Sequence, residues 1–166
     1  MKSFAFLPMI IFLLFPGCSS NPQTPPKTQL EIREFQTRTY DTKDTKMVMK
    51  SMLNVLQDDG YIVKNANVEL GLITATKEVD VEDKTNSFFA SLFSGSDARW
   101  NKDNIIESSA NISDYGDKTR VRINFQFKML NNRGEVVEVK QIDDARYYQE
   151  FFSKVDKGIF IQKEKL

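Results

Sequence analysis

The residue with the most distinctive chemistry in this sequence is Cys18, the only cysteine among 166 residues. It follows an unbroken apolar run at residues 4–15, and Lys2 gives the chain a short positive start. As a helix this run would be about 18 Å long, well short of the ~30 Å hydrocarbon core of a membrane. The run is typical of the apolar region of an export signal, and the thiol stands where that region ends.

The residues before Cys18 resemble the lipobox of bacterial lipoproteins, in which a small residue precedes a cysteine that receives diacylglycerol. Two leucines and a glycine carry the resemblance: Leu13, Leu14 and Gly17. It implies that residues 1–17 are a signal peptide and that Cys18 becomes the lipidated end of a membrane-anchored chain. In such lipoproteins Ser19 implies the periplasmic face of the outer membrane. An ordinary secretory signal with an incidental cysteine is the alternative.

The charge balance and the lack of histidine exclude several classes of function. Lys plus Arg and Asp plus Glu both number 23, so the sequence does not indicate a nucleic-acid partner. Without histidine, Ser-His-Asp and Cys-His nucleophile arrangements and ordinary zinc sites are excluded. We therefore expect no catalytic residue, no metal site and no cofactor. A cell-wall hydrolase with paired carboxylates stays open, although no pair stands out.

Residues 18–29 are predicted to be a tether between the lipid and a folded domain. Residues 19–28 contain three prolines and no apolar side chain, and when extended they would reach about 30 Å. The following residues, 30–166, are enough for one domain with one core.

Apolar spacing predicts two helices. The first begins after Asp41 or Asp44 and ends before Gly60. Its apolar positions recur at i, i+4, i+7 and i+8: Val48, Met52, Val55 and Leu56. The second covers about residues 143–157, and Gly158 is predicted to end it. Its apolar face consists of Tyr148, Phe151, Phe152 and Val155.

Alternation of apolar and polar residues predicts several antiparallel strands. They are predicted within residues 30–39 (with a bulge at 33–34, or with an extended lead-in before the strand), 61–63, 73–81, 106–112 and 121–129. Residues 65–71 are predicted to be a turn, and a hairpin loop at residues 131–134 leads to a last strand with Val137 and Val139. The strands are apolar on one side only. The fold class is therefore α+β, with a one-sided sheet that packs on the long first helix and on the C-terminal helix.

A basic row on the strongest strand has two interpretations. Arg120, Arg122 and Lys128 share its polar side. They could form a docking strip for anions such as lipid phosphates. We favour a solvated strand face on which these side chains pair with Glu135 and Glu138 across the hairpin.

Residues 86–95 are long and apolar for a connection between two strands. One short helical turn would bring four large side chains to one face: Phe88, Phe89, Leu92 and Phe93. So short a helix needs a surface to lie on. The candidates are the protein's own sheet, a partner protein and the membrane interface, and we favour its own sheet. These four residues are a candidate docking segment.

The end of the first helix and the strands after it resemble the helix-grip domains of BamC, a lipoprotein of the outer-membrane protein assembly machine. The resemblance rests on LQDDGY at residues 56–61, on Val63 and on GLITAT at residues 71–76. It implies a curved antiparallel sheet that wraps a long helix, in a single domain that acts as an interaction module and not as an enzyme. The chain also resembles small outer-membrane lipoproteins of Gram-negative bacteria.

Together these features predict a lipid-anchored periplasmic protein that is a non-enzymatic binding or assembly module for envelope proteins. The alternative is a carrier or sensor that holds a small hydrophobic ligand between the sheet and a helix. Thirteen phenylalanines could line such a cavity, although they more often fill a core.

Overall fold

The computed structural model describes residues 27–79, 104–131 and 133–164. These residues form three helices: α1 (Gln29–Phe35), α2 (Thr45–Asp58) and α3 (Ala145–Lys163). They also form six strands: β1 (Thr37–Tyr40), β2 (Ile62–Asn67), β3 (Leu72–Val79), β4 (Asn104–Tyr115), β5 (Lys118–Leu130) and β6 (Val136–Gln141). The predicted α+β class is confirmed.

The strands form one open antiparallel sheet in the order β1-β5-β4-β3-β2, and β6 also pairs with β5. Strand β4 pairs with β5 along its whole length. On the opposite edge of β5, β1 pairs with residues 119–122 and β6 with residues 126–130. Two strands therefore share one edge of β5, and a short gap separates them.

Helix α2 forms where the sequence predicts it. The side chain of Asp44 caps its first turn and accepts a hydrogen bond from the Met47 backbone N–H at 2.9 Å. The helix ends at Asp58, and Gly60 follows with a φ of 84°, which favours glycine. The apolar positions predicted from spacing are all buried: Val48, Met52, Val55 and Leu56.

One face of the sheet forms the core with α2 and α3. Alternate residues of β4 and β5 are buried on this face, as their alternation predicts: Ile106, Ser108, Ala110, Ile112, Val121, Ile123, Phe125, Phe127 and Met129. The ring of Phe125 contacts the rings of Tyr148 and Phe151 from α3 at centroid distances of 5.4 and 5.3 Å. Helix α3 therefore packs on the apolar face of the sheet, and the buried side chains of α2 belong to the same core cluster.

The first predicted strand is wrong over most of its length, because residues 29–35 are helical. Thr28 and Glu31 form a reciprocal capping box that starts α1. Ile32 is buried and Phe35 packs against the core, which is the i, i+3 spacing of a helix face. Only β1 is extended in this part of the chain, so no bulge occurs at residues 33–34.

Two predicted boundaries are also wrong. Strand β2 continues to Asn67, so the turn is shorter than predicted and ends at Gly71. A Cβ atom on Gly71 would lie 1.9 Å from the Ile112 carbonyl oxygen, so this position requires glycine. Gly158 does not end the last helix, which continues to Lys163. Gly158 faces Ser51 of α2, where the two helices pack together.

Candidate functional site

The residues predicted to bind or to be modified lie outside the described residues. They are Cys18 and the docking segment with Phe88, Phe89, Leu92 and Phe93. Residues 80–103 join β3 to β4 next to the cross-strand pair Val79 and Asn104. Lipidation and docking therefore stay predictions.

The face of the sheet opposite the core, here called the open face, is not covered by any helix or strand of the described residues. Cross-strand pairing arranges its side chains in rows. Three neighbouring rows are Thr39–Arg120–Ser113, Thr37–Arg122–Asn111–Leu72, and Asn124–Ser109–Thr74. These rows contain two arginines and no carboxylate.

A depression of about 510 Å³ lies on the open face and includes the row Asn124–Ser109–Thr74. Its lining is dominated by groups that can donate or accept hydrogen bonds: Lys64, Thr74, Thr76, Glu107, Ser109, Asn124 and Gln126. Such a surface can bind polar groups of a partner without any chemical step.

The three basic residues on β5, Arg120, Arg122 and Lys128, differ in their contacts. Lys128 forms an ion pair with Glu107 of β4 at 2.7 Å, and the guanidinium of Arg120 lies over the Tyr115 ring at 3.4 Å from its centroid. Arg122 is exposed and has no ion-pair partner among the described residues. Of the two arginines on the open face, it is therefore the more available to a partner.

The predicted pairing of this row with Glu135 and Glu138 is wrong. Glu138 lies opposite Met129, so its side chain points to the other side of the sheet from Lys128. The Glu135 carboxylate accepts a hydrogen bond from the Asn131 side chain at 2.7 Å. Neither glutamate of the hairpin therefore pairs with Lys128, which binds Glu107 on β4 instead.

A buried polar cluster fills the gap between β1 and β6. The Tyr148 hydroxyl accepts a hydrogen bond from the Phe125 backbone N–H at 3.2 Å and donates one to the Ile142 carbonyl at 3.0 Å. The side-chain amide N–H of Gln36 also donates to this hydroxyl, at 3.3 Å, and the backbone carbonyl of Gln36 accepts from the Ile123 N–H. In the gap between β1 and β6, the Tyr148 side chain and Gln36 therefore provide the hydrogen bonds to β5 that a neighbouring strand would provide. No sequence pattern predicted this role for either residue.

Buried tyrosines near this cluster stay protonated. Burial raises the pKa of Tyr148 and raises the pKa of Tyr147 to about 12. The hydroxyls of Tyr147 and Tyr61 are hydrogen-bonded to each other at 2.7 Å. Because these groups are neutral around pH 7, they act as structural hydrogen-bonding groups.

The interior between the sheet and the helices is filled by side chains. Phe125, Tyr148 and Leu56 are each completely buried there. A groove of about 350 Å³ between α2 and α3 is lined by Ser51, Val55 and Lys154, among others. Among residues 27–79, 104–131 and 133–164, no group of three acidic, histidine or cysteine residues could hold a metal ion.

No protein-family model matches the chain, and no curated protein matches its sequence. Within the described part of the chain, no helix has both the length and the apolar character needed to span a membrane.

Proposed function

We propose that this protein is a lipid-anchored, non-enzymatic binding module of the bacterial envelope, and that its open face contacts an envelope protein. The observation that carries the proposal is the asymmetry of the sheet, because α2 and α3 cover one face only. The predicted lipidation at Cys18 would hold this surface beside a membrane, on the periplasmic face of the outer membrane.

The chemistry of the open face supports protein binding. Interfaces between proteins are enriched in arginine and aromatic residues, surrounded by neutral polar groups. Arg122 offers a planar donor that no carboxylate of the described residues occupies, and Arg120 is held against Tyr115. The rows around them carry hydroxyl and amide groups, which form hydrogen bonds without the desolvation cost of additional charges.

We also propose that the fold is of the helix-grip type. The apolar face of one antiparallel sheet covers the long helices α2 and α3, which is the arrangement that this fold requires. The filled core favours a binding module over a carrier of hydrophobic ligands, since Phe125 and Tyr148 occupy the volume between sheet and helix.

Site-specific photo-crosslinking in the native host would test the proposal. A photoreactive amino acid at Ser109, on the open face, should capture one discrete envelope protein. The same group at Lys50, an exposed position on α2, should not capture it. Arg122→Glu should reduce the Ser109 product at least severalfold, because it reverses the free positive charge. Equal capture from both positions, or no product from Ser109, would contradict the proposal.

A further inference from the structure

Strand β6 has an edge that is suited to adding another strand. It pairs with β5 on one side, and no strand of the described residues lies on its other side. Every residue from 136 to 140 is exposed, and Val136, Val137 and Val139 keep 51, 54 and 53% of their surface in contact with solvent. An exposed edge of β-branched residues without proline is a template for strand pairing.

The other described edges of the sheet are less suited to pairing. Strand β1 has only four residues. Strand β2 has a bulge between Val63 and Asn65, which places a charged residue, Lys64, at the irregularity. Short strands and bulges are features that hinder edge-to-edge association. Strand β6 also has an irregularity against β5, but it lies at the start of the strand, between Val136 and Glu138, and leaves Glu138 to Gln141 in regular pairing.

The backbone of β6 determines which residues can pair outwards. The Ile142 N–H donates to the Phe125 carbonyl of β5 at 2.9 Å. Backbone groups alternate between the two sides of a strand, so Lys140 and Glu138 also direct theirs towards β5. Val139 and Gln141 therefore direct theirs to the free side, where a new strand would bind.

We propose that β6 pairs antiparallel with β6 of a second copy of this chain, in a register centred on Val139. This register pairs outward-directed backbone groups with one another and places Glu138 opposite the partner's Lys140, and Lys140 opposite the partner's Glu138. Two attractive cross-strand pairs then form per dimer.

Charge selects this register over its neighbours. A register centred on Glu138 places the two glutamates opposite each other, and one centred on Lys140 does the same with the lysines. Like charges directly opposite each other destabilise a sheet. Of these three registers, only the one centred on Val139 places opposite charges across from each other.

The symmetry of this pairing has a structural result. A two-fold axis at Val139 would run perpendicular to the sheet and would keep the helices of both copies on the same side. Val139 lies opposite Lys128, on the open-face side of the sheet. The two open faces would then form one continuous surface.

Disulfide trapping tests the register. The experiment uses residues 18–166 with Cys18→Ser, which leaves an introduced cysteine as the only thiol. Val139→Cys should give a covalent dimer on mild oxidation, because directly opposite residues in a hydrogen-bonded pair are about 5.5 Å apart. Val136→Cys is equally exposed, but it would lie roughly 20 Å from its copy and should stay monomeric. Equal dimer yields from both variants would overturn the register.

Charge exchange tests the partner. Sedimentation analysis should show a concentration-dependent dimer for the unsubstituted chain. Glu138→Lys should weaken the dimer about tenfold at low salt, since both cross-strand pairs become repulsive. Adding Lys140→Glu should restore it. The proposal would be overturned if the unsubstituted chain stayed monomeric at high concentration, or if the double variant did not regain the dimer. It would also be overturned if the cysteine at position 139 formed a disulfide only with a different protein.

Discussion

At the scale of the residue, the hydroxyl of Tyr148 provides hydrogen bonds that a backbone would normally provide. It serves the Phe125 N–H and the Ile142 carbonyl in the gap between β1 and β6, and Gln36 completes the cluster. A backbone N–H or carbonyl that is buried without a hydrogen-bond partner destabilises the folded state, because it loses its hydrogen bonds to water and gains none in return. A single oxygen atom therefore satisfies groups on three different segments of the chain.

Tyr148→Phe should lower the free energy of unfolding by about 2 kcal/mol, because it leaves buried donors and an acceptor unsatisfied while it keeps the ring. For a domain of this size, the melting temperature should fall by roughly 4–8 °C. Thermal denaturation measures this. Tyr115→Phe is the control, since the Tyr115 side chain is 53% exposed, and its melting temperature should be nearly unchanged. Equal losses in both variants would contradict a special role for Tyr148.

At the scale of the element, helix α3 carries a glycine in its interior. A Cβ atom on Gly158 would lie 3.5 Å from Cβ of Ser51, which is ordinary van der Waals contact. The close approach of α2 and α3 therefore does not require glycine at this position. Glycine in a helix interior costs about 1 kcal/mol relative to alanine.

Gly158→Ala should stabilise the protein by about 0.5–1 kcal/mol, because it restricts the unfolded chain and adds a tolerated contact. Gly116→Ala is the matched control. Gly116 has nothing within 4 Å of its Cβ position, but its φ is 71°, which strains an alanine. We therefore expect opposite signs from the same chemical change, and chemical denaturation of both variants measures them. A destabilised Gly158→Ala would show that the contact between the added methyl group and Ser51 is not tolerated.

The helices and strands differ in how well the sequence predicted them. Alternation in β5 predicted its buried residues, because exposure on a one-sided sheet follows a period of two. Gly158 was misread as a helix end, because glycine is a local signal for termination while the contact with Ser51 depends on a distant helix. Residues 29–35 were misread for a similar reason, since a short apolar pattern fits strand and helix equally well. The Tyr148 cluster depends on residues far apart in sequence, such as Gln36, so no local pattern indicated it.

At the scale of the whole molecule, the proposals place a one-sided sheet at a membrane surface. In these proposals the open face is the binding surface, and the predicted lipid at Cys18 determines where the protein is located. The sequence predicted the apolar side of the sheet well, but it assigned the wrong partners to the charges on the open face. Those partners depend on the register between strands. Lys128 of β5 pairs with Glu107 of β4, whereas Glu138 of β6 lies opposite Met129 and on the other side of the sheet.

Cys18→Ser should release the protein from the membrane fraction, since the thiol is the predicted site of the acyl chains that anchor it. Membrane fractionation followed by immunoblotting measures this, and metabolic labelling with a fatty acid should lose its signal in the same variant. Ser20→Ala, two positions away, is the control and should keep both anchor and label. If Cys18→Ser stays in the membrane as firmly as the unsubstituted chain, the lipidation prediction is wrong.

The pairing of β5 with three strands constrains how the chain acquires its structure as it emerges from a ribosome or a translocation channel. Strand β1 is made early, but within the described part of the chain it pairs only with β5, which is made late. Helix α3 follows later still and supplies the Tyr148 hydroxyl to Phe125. Contacts between distant segments form slowly, because the intervening chain must first lose entropy. Strand β1 therefore cannot pair until β5 has emerged, whereas α2 and the β2–β3 pair can form earlier from contacts between neighbouring segments.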